Sequence, residues 1–184
     1  MRAKTLTLFL LFVCCLFVNI VSAKETIDTF DLSFCLDKTV SATTKTTTSS
    51  NDTNPNGYSI AGECLYYFVE GSALGVGINY NSVEDNNFYL TNVYAVFKQL
   101  VPINIKAKSN DDVNFFAGIS LGSNCDYGKI FWKIFCGIDI NKFMFFLNYS
   151  QNYMSCSIPD GRTDMSYSKI ALGIGLRFNC KNTE

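Results

Sequence analysis

Residues 168–178 read Ser168-Lys169-Ile170-Ala171-Leu172-Gly173-Ile174-Gly175-Leu176-Arg177-Phe178. From Ile170 onward the even positions are bulky and apolar, whereas the odd positions are small or charged. Successive side chains of a β-strand point to opposite faces, so a period of two separates the two classes only in a strand. The segment therefore predicts a strand with one bulky apolar face and one face of glycine, alanine and charge.

The same period recurs along the chain, for example in residues 30–36, 74–80, 130–140 and 143–153. We predict eight strands, at roughly 30–43, 58–69, 73–82, 88–99, 113–124, 129–141, 143–157 and 167–178. Eight antiparallel strands close a small barrel without free edges, so the predicted fold is all-β, an eight-stranded up-and-down barrel of the transmembrane type. The facing of the second and fourth strands and the register of residues 100–112 stay open, because their alternation is irregular.

Composition excludes several function classes. The 184 residues are 48% hydrophobic and carry a formal net charge of -1, with no histidine. The absence of histidine removes Ser-His and Cys-His nucleophile pairs and His-based zinc centres. The charge balance offers no basic surface for nucleic acid. We find no catalytic constellation, so we expect a non-enzymatic protein without a cofactor.

The N-terminus has the features of an export signal. Arg2 and Lys4 precede an apolar run at residues 6–18, and Val21-Ser22-Ala23 supplies small residues for a peptidase. We predict a signal peptide at residues 1–23, followed by a single barrel domain at residues 24–184. An uncleaved anchor stays open as an alternative.

Alternation alone does not say which face is inside. A narrow eight-stranded barrel leaves an interior that side chains just fill. The face of glycine and other small residues therefore fits the interior better than the bulky face does, and the bulky residues should point outward. The bulky face would then contact lipid. A long polar loop at residues 43–57 and short connections at 70–72 and 140–142 alternate as in transmembrane barrels.

Three segments carry a resemblance to a known family. They are Leu74-Gly75-Val76-Gly77-Ile78-Asn79-Tyr80, Phe145-Phe146-Leu147-Asn148-Tyr149-Ser150 and the closing Tyr167-Ser168-Lys169-Ile170-Ala171-Leu172-Gly173-Ile174-Gly175-Leu176-Arg177-Phe178. With them the sequence resembles the porin-like family of small bacterial outer-membrane β-barrels. The resemblance implies export, insertion among outer-membrane lipids by the barrel-assembly machinery, and a surface or membrane-structural role with at most narrow solute passage. The alternative is a secreted, soluble, disulfide-linked β-barrel that binds an apolar ligand.

One motif matches a metal site literally. The pattern D-x-[DN]-x-[DN]-G-x5-E places candidate calcium ligands at Asp52, Asn54, Asn56 and Glu63. No helix is predicted before it, so a hairpin loop that runs into the second strand is the favoured interpretation.

Six charges fall on the small-residue faces of the predicted strands and would lie in the lumen: Asp31, Asp37, Lys133, Asp139, Lys169 and Arg177. Charged rings sort ions in some pores. Mutual ion pairs that plug the lumen are the favoured interpretation, because a buried charge is costly unless it is paired.

The chain has eight cysteines, of which Cys14 and Cys15 fall in the predicted signal. The even number that remains in an exported chain favours disulfides. Hairpin symmetry about residue 50 predicts a Cys35–Cys64 bridge, and the positions at strand ends predict a Cys125–Cys156 bridge. Free buried thiols remain the alternative.

Overall fold

The computed structural model describes residues 29–46, 50–53, 57–69, 71–83, 88–102, 113–158 and 161–180. These residues form nine strands, all paired antiparallel. The strands are β1 (Thr29–Thr46), β2 (Ser50–Thr53), β3 (Tyr58–Val69), β4 (Ser72–Val83), β5 (Phe88–Pro102), β6 (Val113–Asn124), β7 (Lys129–Ile140), β8 (Phe143–Ile158) and β9 (Gly161–Cys180). No helix in these ranges is long and apolar enough to cross a membrane.

Eight of the strands close a barrel. Each strand from β3 to β9 pairs with the next along the chain, and β1 pairs with both β3 and β9. The predicted fold class is therefore confirmed, and each of the eight predicted segments corresponds to one strand of the barrel. The register between β1 and β9 runs from Phe30 opposite Cys180 to Thr46 opposite Met165.

The strand β2 was not predicted. It lies inside the segment assigned to a loop at residues 43–57 and pairs with the end of β1, with Lys45 opposite Ser50. The end of β1 is rich in threonine, a β-branched residue that favours extended backbone, and β1 stays paired with β9 as far as Thr46. Residues 100–102 continue β5, whereas residues 103–112 lie outside the described ranges.

The barrel has two distinct ends. One end, here the tight-turn end, carries the connections at Gly71 and at Asn141, whose φ angles are 77° and 56°. A side chain at position 71 would collide with the backbone oxygen of Leu100, so this turn requires glycine. The opposite end, here the hairpin end, carries the β1–β2 hairpin and the turn at residues 125–128.

Large residues point outward and small or polar residues point inward, as the volume argument predicts. On β9, Leu172 and Ile174 are each 57% exposed, whereas Ala171 between Ile170 and Leu172 is 0% exposed. The interior contains two apolar clusters. One comprises Leu65, Tyr67, Ala73, Tyr94, Val96 and Phe131, and the other comprises Ala42, Leu90, Met154 and Tyr167.

Candidate functional site: charged interior and apolar outer belt

An ion-pair network lies inside the barrel towards the tight-turn end. The Asp139 carboxylate accepts a hydrogen bond from Arg177 Nη1 at 2.7 Å and one from Lys98 Nζ at 3.4 Å. Arg177 also pairs with Asp31, at 3.6 Å between Nε and Oδ2. Lys98 additionally stacks over the Phe116 ring, 4.2 Å from its centroid. Two cations and two carboxylates therefore neutralise one another across four strands.

A second ion pair occupies the middle of the barrel. Lys133 Nζ donates to Glu63 Oε1 at 3.0 Å, and the Tyr94 hydroxyl donates to the same oxygen at 2.8 Å. The ammonium group also lies over the rings of Tyr94 and Phe135, 4.7 and 5.1 Å from their centroids. Glu63, whose facing was left open, thus joins the interior charges.

A third ion pair lies closer to the hairpin end. Lys169 Nζ donates to Asp37 Oδ1 at 2.9 Å and to the Ser59 hydroxyl at 2.8 Å. The other Asp37 oxygen accepts from Asn148 Nδ2 at 3.2 Å. Each oxygen of this carboxylate therefore has a donor.

The structure places all six predicted lumen charges inside the barrel and adds Glu63 and Lys98. The described interior thus holds four carboxylates and four cations, so its formal charge is zero. The cavity among them, lined by Cys35, Glu63, Lys133 and neighbouring side chains, has a volume of about 30 Å³. The charges therefore pair with one another across the described interior, and a further cavity of about 170 Å³ lies beside Asp31 and Arg177 at the tight-turn end.

Buried asparagines occupy the interior on β4, β5 and β6, nearer the hairpin end. Asn79, Asn92 and Asn124 are direct cross-strand partners on β4, β5 and β6. Asn79 Oδ1 accepts from Asn92 at 2.9 Å and from Asn81 at 3.2 Å. Asn124 instead caps the turn after β6, since its side-chain oxygen accepts from the backbone N–H of Asp126 and of Tyr127. Neutral amides thus replace charges in this part of the interior.

The outer surface is an apolar belt between two aromatic rims. At the hairpin end, Tyr80 stacks on Tyr89 and Trp132 packs on Tyr149, each pair with centroids 5.3 Å apart. At the tight-turn end, Phe30 packs on Tyr66 with centroids 5.0 Å apart. The exposed belt residues include Leu32, Phe34, Leu36, Ile60, Leu74, Val76, Ile78, Val93, Ile119, Leu121, Ile134, Phe145, Leu147, Ile170, Leu172, Ile174 and Leu176.

The belt has the height of a bilayer core. Phe143 and Tyr153 are exposed at opposite ends of the outward face of β8. The ten residue steps between them span roughly 33 Å along the strand, or roughly 25 Å along the barrel axis at the usual tilt of about 40°. Membrane barrels have an apolar band of about 25 Å.

The predicted disulfides are not formed. Cys35, Cys64 and Cys125 are free thiols, as is Cys136. The register pairs Cys64 with Leu32 and Cys35 with Ala61, three positions apart. An odd offset puts the two cysteines on opposite faces of the sheet, so Cys35 points inward and Cys64 outward. The side chain of Cys156 lies outside the described residues.

Two of the four candidate calcium ligands, Asp52 and Glu63, are not brought together. Asn54 and Asn56 lie outside the described residues, whereas Asp52 pairs with Thr43 and Glu63 pairs with Ser33. Ten residues of β1 separate these two positions, which is roughly 30 Å. Calcium ligands lie within about 2.6 Å of the ion, so Asp52 and Glu63 do not share a site.

Neither a family model nor a curated protein sequence matches the chain. Solved structures with a similar arrangement include Neisserial surface protein A, with 14% identity, 81% of this chain and 97% of that chain covered, and a TM-score of 0.47. The outer membrane protein OprG from Pseudomonas aeruginosa has 9% identity, 84% and 97% coverage, and a TM-score of 0.40. The attachment invasion locus protein Ail of Yersinia pestis has 14% identity, 83% and 100% coverage, and a TM-score of 0.36.

Proposed function

We propose that this chain is a bacterial outer-membrane β-barrel protein with a non-enzymatic surface or membrane-structural role. The observation that carries the proposal is the apolar outer belt, roughly 25 Å tall, with aromatic rims at both ends and four carboxylates and four cations paired on the inside, whereas the belt itself carries the single exposed charge of Lys38 among the described residues. Aromatic side chains prefer the two interfaces of a bilayer, and the hydrocarbon between them excludes charge.

The soluble alternative needs the opposite arrangement. A water-soluble barrel that holds an apolar ligand directs its apolar face inward and its polar face to solvent. Here Leu172 and Ile174 are more than half exposed, whereas Lys98 and Asp139 are 2% and 1% exposed. The distribution of burial therefore favours lipid as the outer solvent.

The proposed role includes at most narrow solute passage. Eight-stranded barrels have an interior just wide enough for side chains to fill. The paired charges and the cavity of about 30 Å³ support a filled interior of this kind. A neutral network offers no surplus charge with which to attract ions of one sign.

A single substitution tests the lipid contact. The change Leu172→Arg puts a guanidinium in the middle of the belt, where we expect a loss of about 2–4 kcal/mol in insertion free energy. Cys125→Arg is the matched control, since residue 125 is exposed in the turn at the hairpin end. Both variants are expressed with the full chain and assayed for recovery in detergent-extracted outer membrane.

We expect the control to fractionate with the membrane and Leu172→Arg to be depleted from it. Recovery of a folded, monomeric Leu172→Arg protein in aqueous buffer would overturn the proposal. Recovery of the unsubstituted chain as a water-soluble monomer would overturn it as well.

A further inference from the structure

Three exposed tyrosines form a group on the outer face of β3, β4 and β5 at the hairpin end. Tyr58 and Tyr89 are the cross-strand partners of Ser82, one on each side of β4. Tyr80 lies on the same face of β4, two residues before Ser82. Residues in such diagonal positions lie about 7–8 Å apart, within reach of aromatic rings. The three tyrosines, here the tyrosine cluster, are 38% to 53% exposed.

Two rings of the tyrosine cluster are stacked. The ring planes of Tyr80 and Tyr89 are 19° apart, whereas the other ring contacts within the described ranges are inclined by 40° or more. Stacking turns one face of each ring away from its partner. The face of an aromatic ring is its electronegative side, so the stack offers electron-rich surface at an exposed position.

A carboxylate is held beside the stack. Asp126, in the turn after β6, accepts a hydrogen bond through Oδ2 from the backbone N–H of Thr91, at 2.8 Å. Thr91 is the cross-strand partner of Tyr80, and the Tyr80 phenol lies within electrostatic range of Asp126. Asp126 is exposed and forms no ion pair with any described residue. Its negative charge is therefore uncompensated by the part of the chain that the structure describes.

A position at the bilayer interface accounts for the rings but not for the carboxylate. Aromatic rims anchor a membrane protein through their amphipathic rings, without an acidic partner. The exposed Asp164, also at the hairpin end, differs from Asp126 because it pairs with Lys129, at 3.8 Å. An uncompensated carboxylate beside two electron-rich rings complements a cation.

The geometry points to a surface site for an organic ammonium group, of the trimethylammonium kind found in choline, at Tyr80, Tyr89 and Asp126. The cation lies against the ring stack, and the Asp126 carboxylate compensates its charge. Aromatic faces bind quaternary ammonium groups in this way. A metal ion needs several oxygen ligands, and the described residues hold no group of three side chains suited to one. The inference goes beyond the proposed membrane-structural role, which assigns no ligand.

Binding of choline to the full chain in neutral maltoside micelles tests the site. Equilibrium dialysis with isotopically labelled choline measures the affinity. The competitor is the neutral isostere of choline, in which carbon replaces the quaternary nitrogen, so that it has the same shape without the charge. We expect saturable binding of choline that unlabelled choline displaces and the isostere does not, because both the ring faces and the carboxylate recognise positive charge.

Matched variants locate the cation. Tyr80→Leu should weaken binding by about fivefold and Asp126→Asn by about threefold. Tyr80→Phe should bind as the unsubstituted chain does, since it keeps the ring face. Tyr149→Leu and Asp164→Asn remove an aromatic ring and a carboxylate from the same end of the barrel, outside the site, and should leave the affinity unchanged.

A second comparison separates a free ammonium compound from a lipid headgroup. Labelled choline is dialysed against the chain in phosphatidylcholine vesicles and in phosphatidylglycerol vesicles, with binding to protein-free vesicles subtracted. Binding that is lost only in phosphatidylcholine supports the site and means that lipid headgroups fill it, whereas binding in both supports a site open to free choline. Absence of saturable binding in micelles, displacement by the neutral isostere, or equal losses in Tyr80→Leu and Tyr149→Leu would overturn the ammonium site.

Discussion

At the scale of single residues, the interior depends on the pairing of its charges. Lys98 and Asp139 are almost wholly buried, and each contacts an opposite charge. Removing one partner of a buried pair leaves the other uncompensated, which costs more than the pair itself contributes to stability. We therefore expect the network to determine which side chains face one another more than it raises the free energy of unfolding.

The pair Glu63–Lys133 tests this view. We expect Glu63→Gln to lower the free energy of unfolding by about 3–5 kcal/mol, because the buried Lys133 ammonium loses its carboxylate. The double variant Glu63→Leu/Lys133→Met should recover most of that loss, since it leaves no unpaired charge. Urea unfolding of the vesicle-inserted barrel, followed by Trp132 fluorescence, measures both. A double variant as unstable as the sum of its single variants would contradict the argument.

The sequence predicted most interior charges, and Lys98 shows why it did not predict all. Charges on β1, β7 and β9 alternate with bulky apolar residues, so their facing was evident. On β5 both faces mix apolar and polar residues, with Leu90, Asn92, Tyr94, Val96 and Lys98 inside and Tyr89, Thr91, Val93, Ala95 and Phe97 outside. Without a contrast in polarity between the two faces, a period of two does not show which face of the strand points into the barrel.

At the scale of strands, inward glycines make room for aromatic rings on neighbouring strands. Gly77 is the cross-strand partner of Tyr94, Gly118 of Phe135, and Gly173 of Phe146. A methyl group at any of these glycines would meet the ring of its partner. The rings thus cover the glycines and fill the lumen, which is how a narrow barrel reaches close packing.

This packing predicts the effect of one methyl group. At Gly77 the three nearest atoms to an added Cβ all belong to the Tyr94 side chain, so Gly77→Ala should displace that side chain and weaken the hydrogen bond from its hydroxyl to Glu63. We expect a loss of about 1–3 kcal/mol from overpacking. In a Tyr94→Leu background the same change should cost less, because the ring is absent. Equal costs in both backgrounds, measured by urea unfolding, would show that the contact with the ring is not the cause.

Register was harder to predict than strand existence. Hairpin symmetry about residue 50 put Cys35 beside Cys64, but the chain turns through β2 and pairs Cys35 with Ala61. The predicted register is wrong by three residues, and an odd error reverses the face on which one cysteine lies relative to the other. The two thiols therefore lie on opposite sides of the barrel wall and do not form the predicted disulfide. Periodicity fixes the facing of a strand, whereas register depends on turn geometry that composition does not reveal.

At the scale of the whole molecule, the proposed filled interior predicts a closed barrel. In a planar bilayer we expect no large, long-lived conductance, because paired charges and two apolar clusters occupy the interior. Lys133→Ala/Glu63→Ala should permit brief openings at most, since Tyr94 and Phe131 remain. Stable openings of nanosiemens size in the unsubstituted protein would contradict the filled interior.

Free thiols at three depths predict how the molecule lies in the membrane. Cys125 is in the turn at the hairpin end, Cys136 is exposed on the belt, and Cys35 lines the interior. In single-cysteine variants on intact cells, a charged maleimide should label only the Cys125 protein. A lipid-soluble maleimide should also label Cys136, and Cys35 should react only after unfolding. A cysteine at position 142, introduced by Lys142→Cys, should react with the charged reagent only after the outer membrane is permeabilised, because the tight-turn end faces the periplasm in this orientation. Labelling of Cys136 by the charged reagent as fast as Cys125 would mean that the belt faces water.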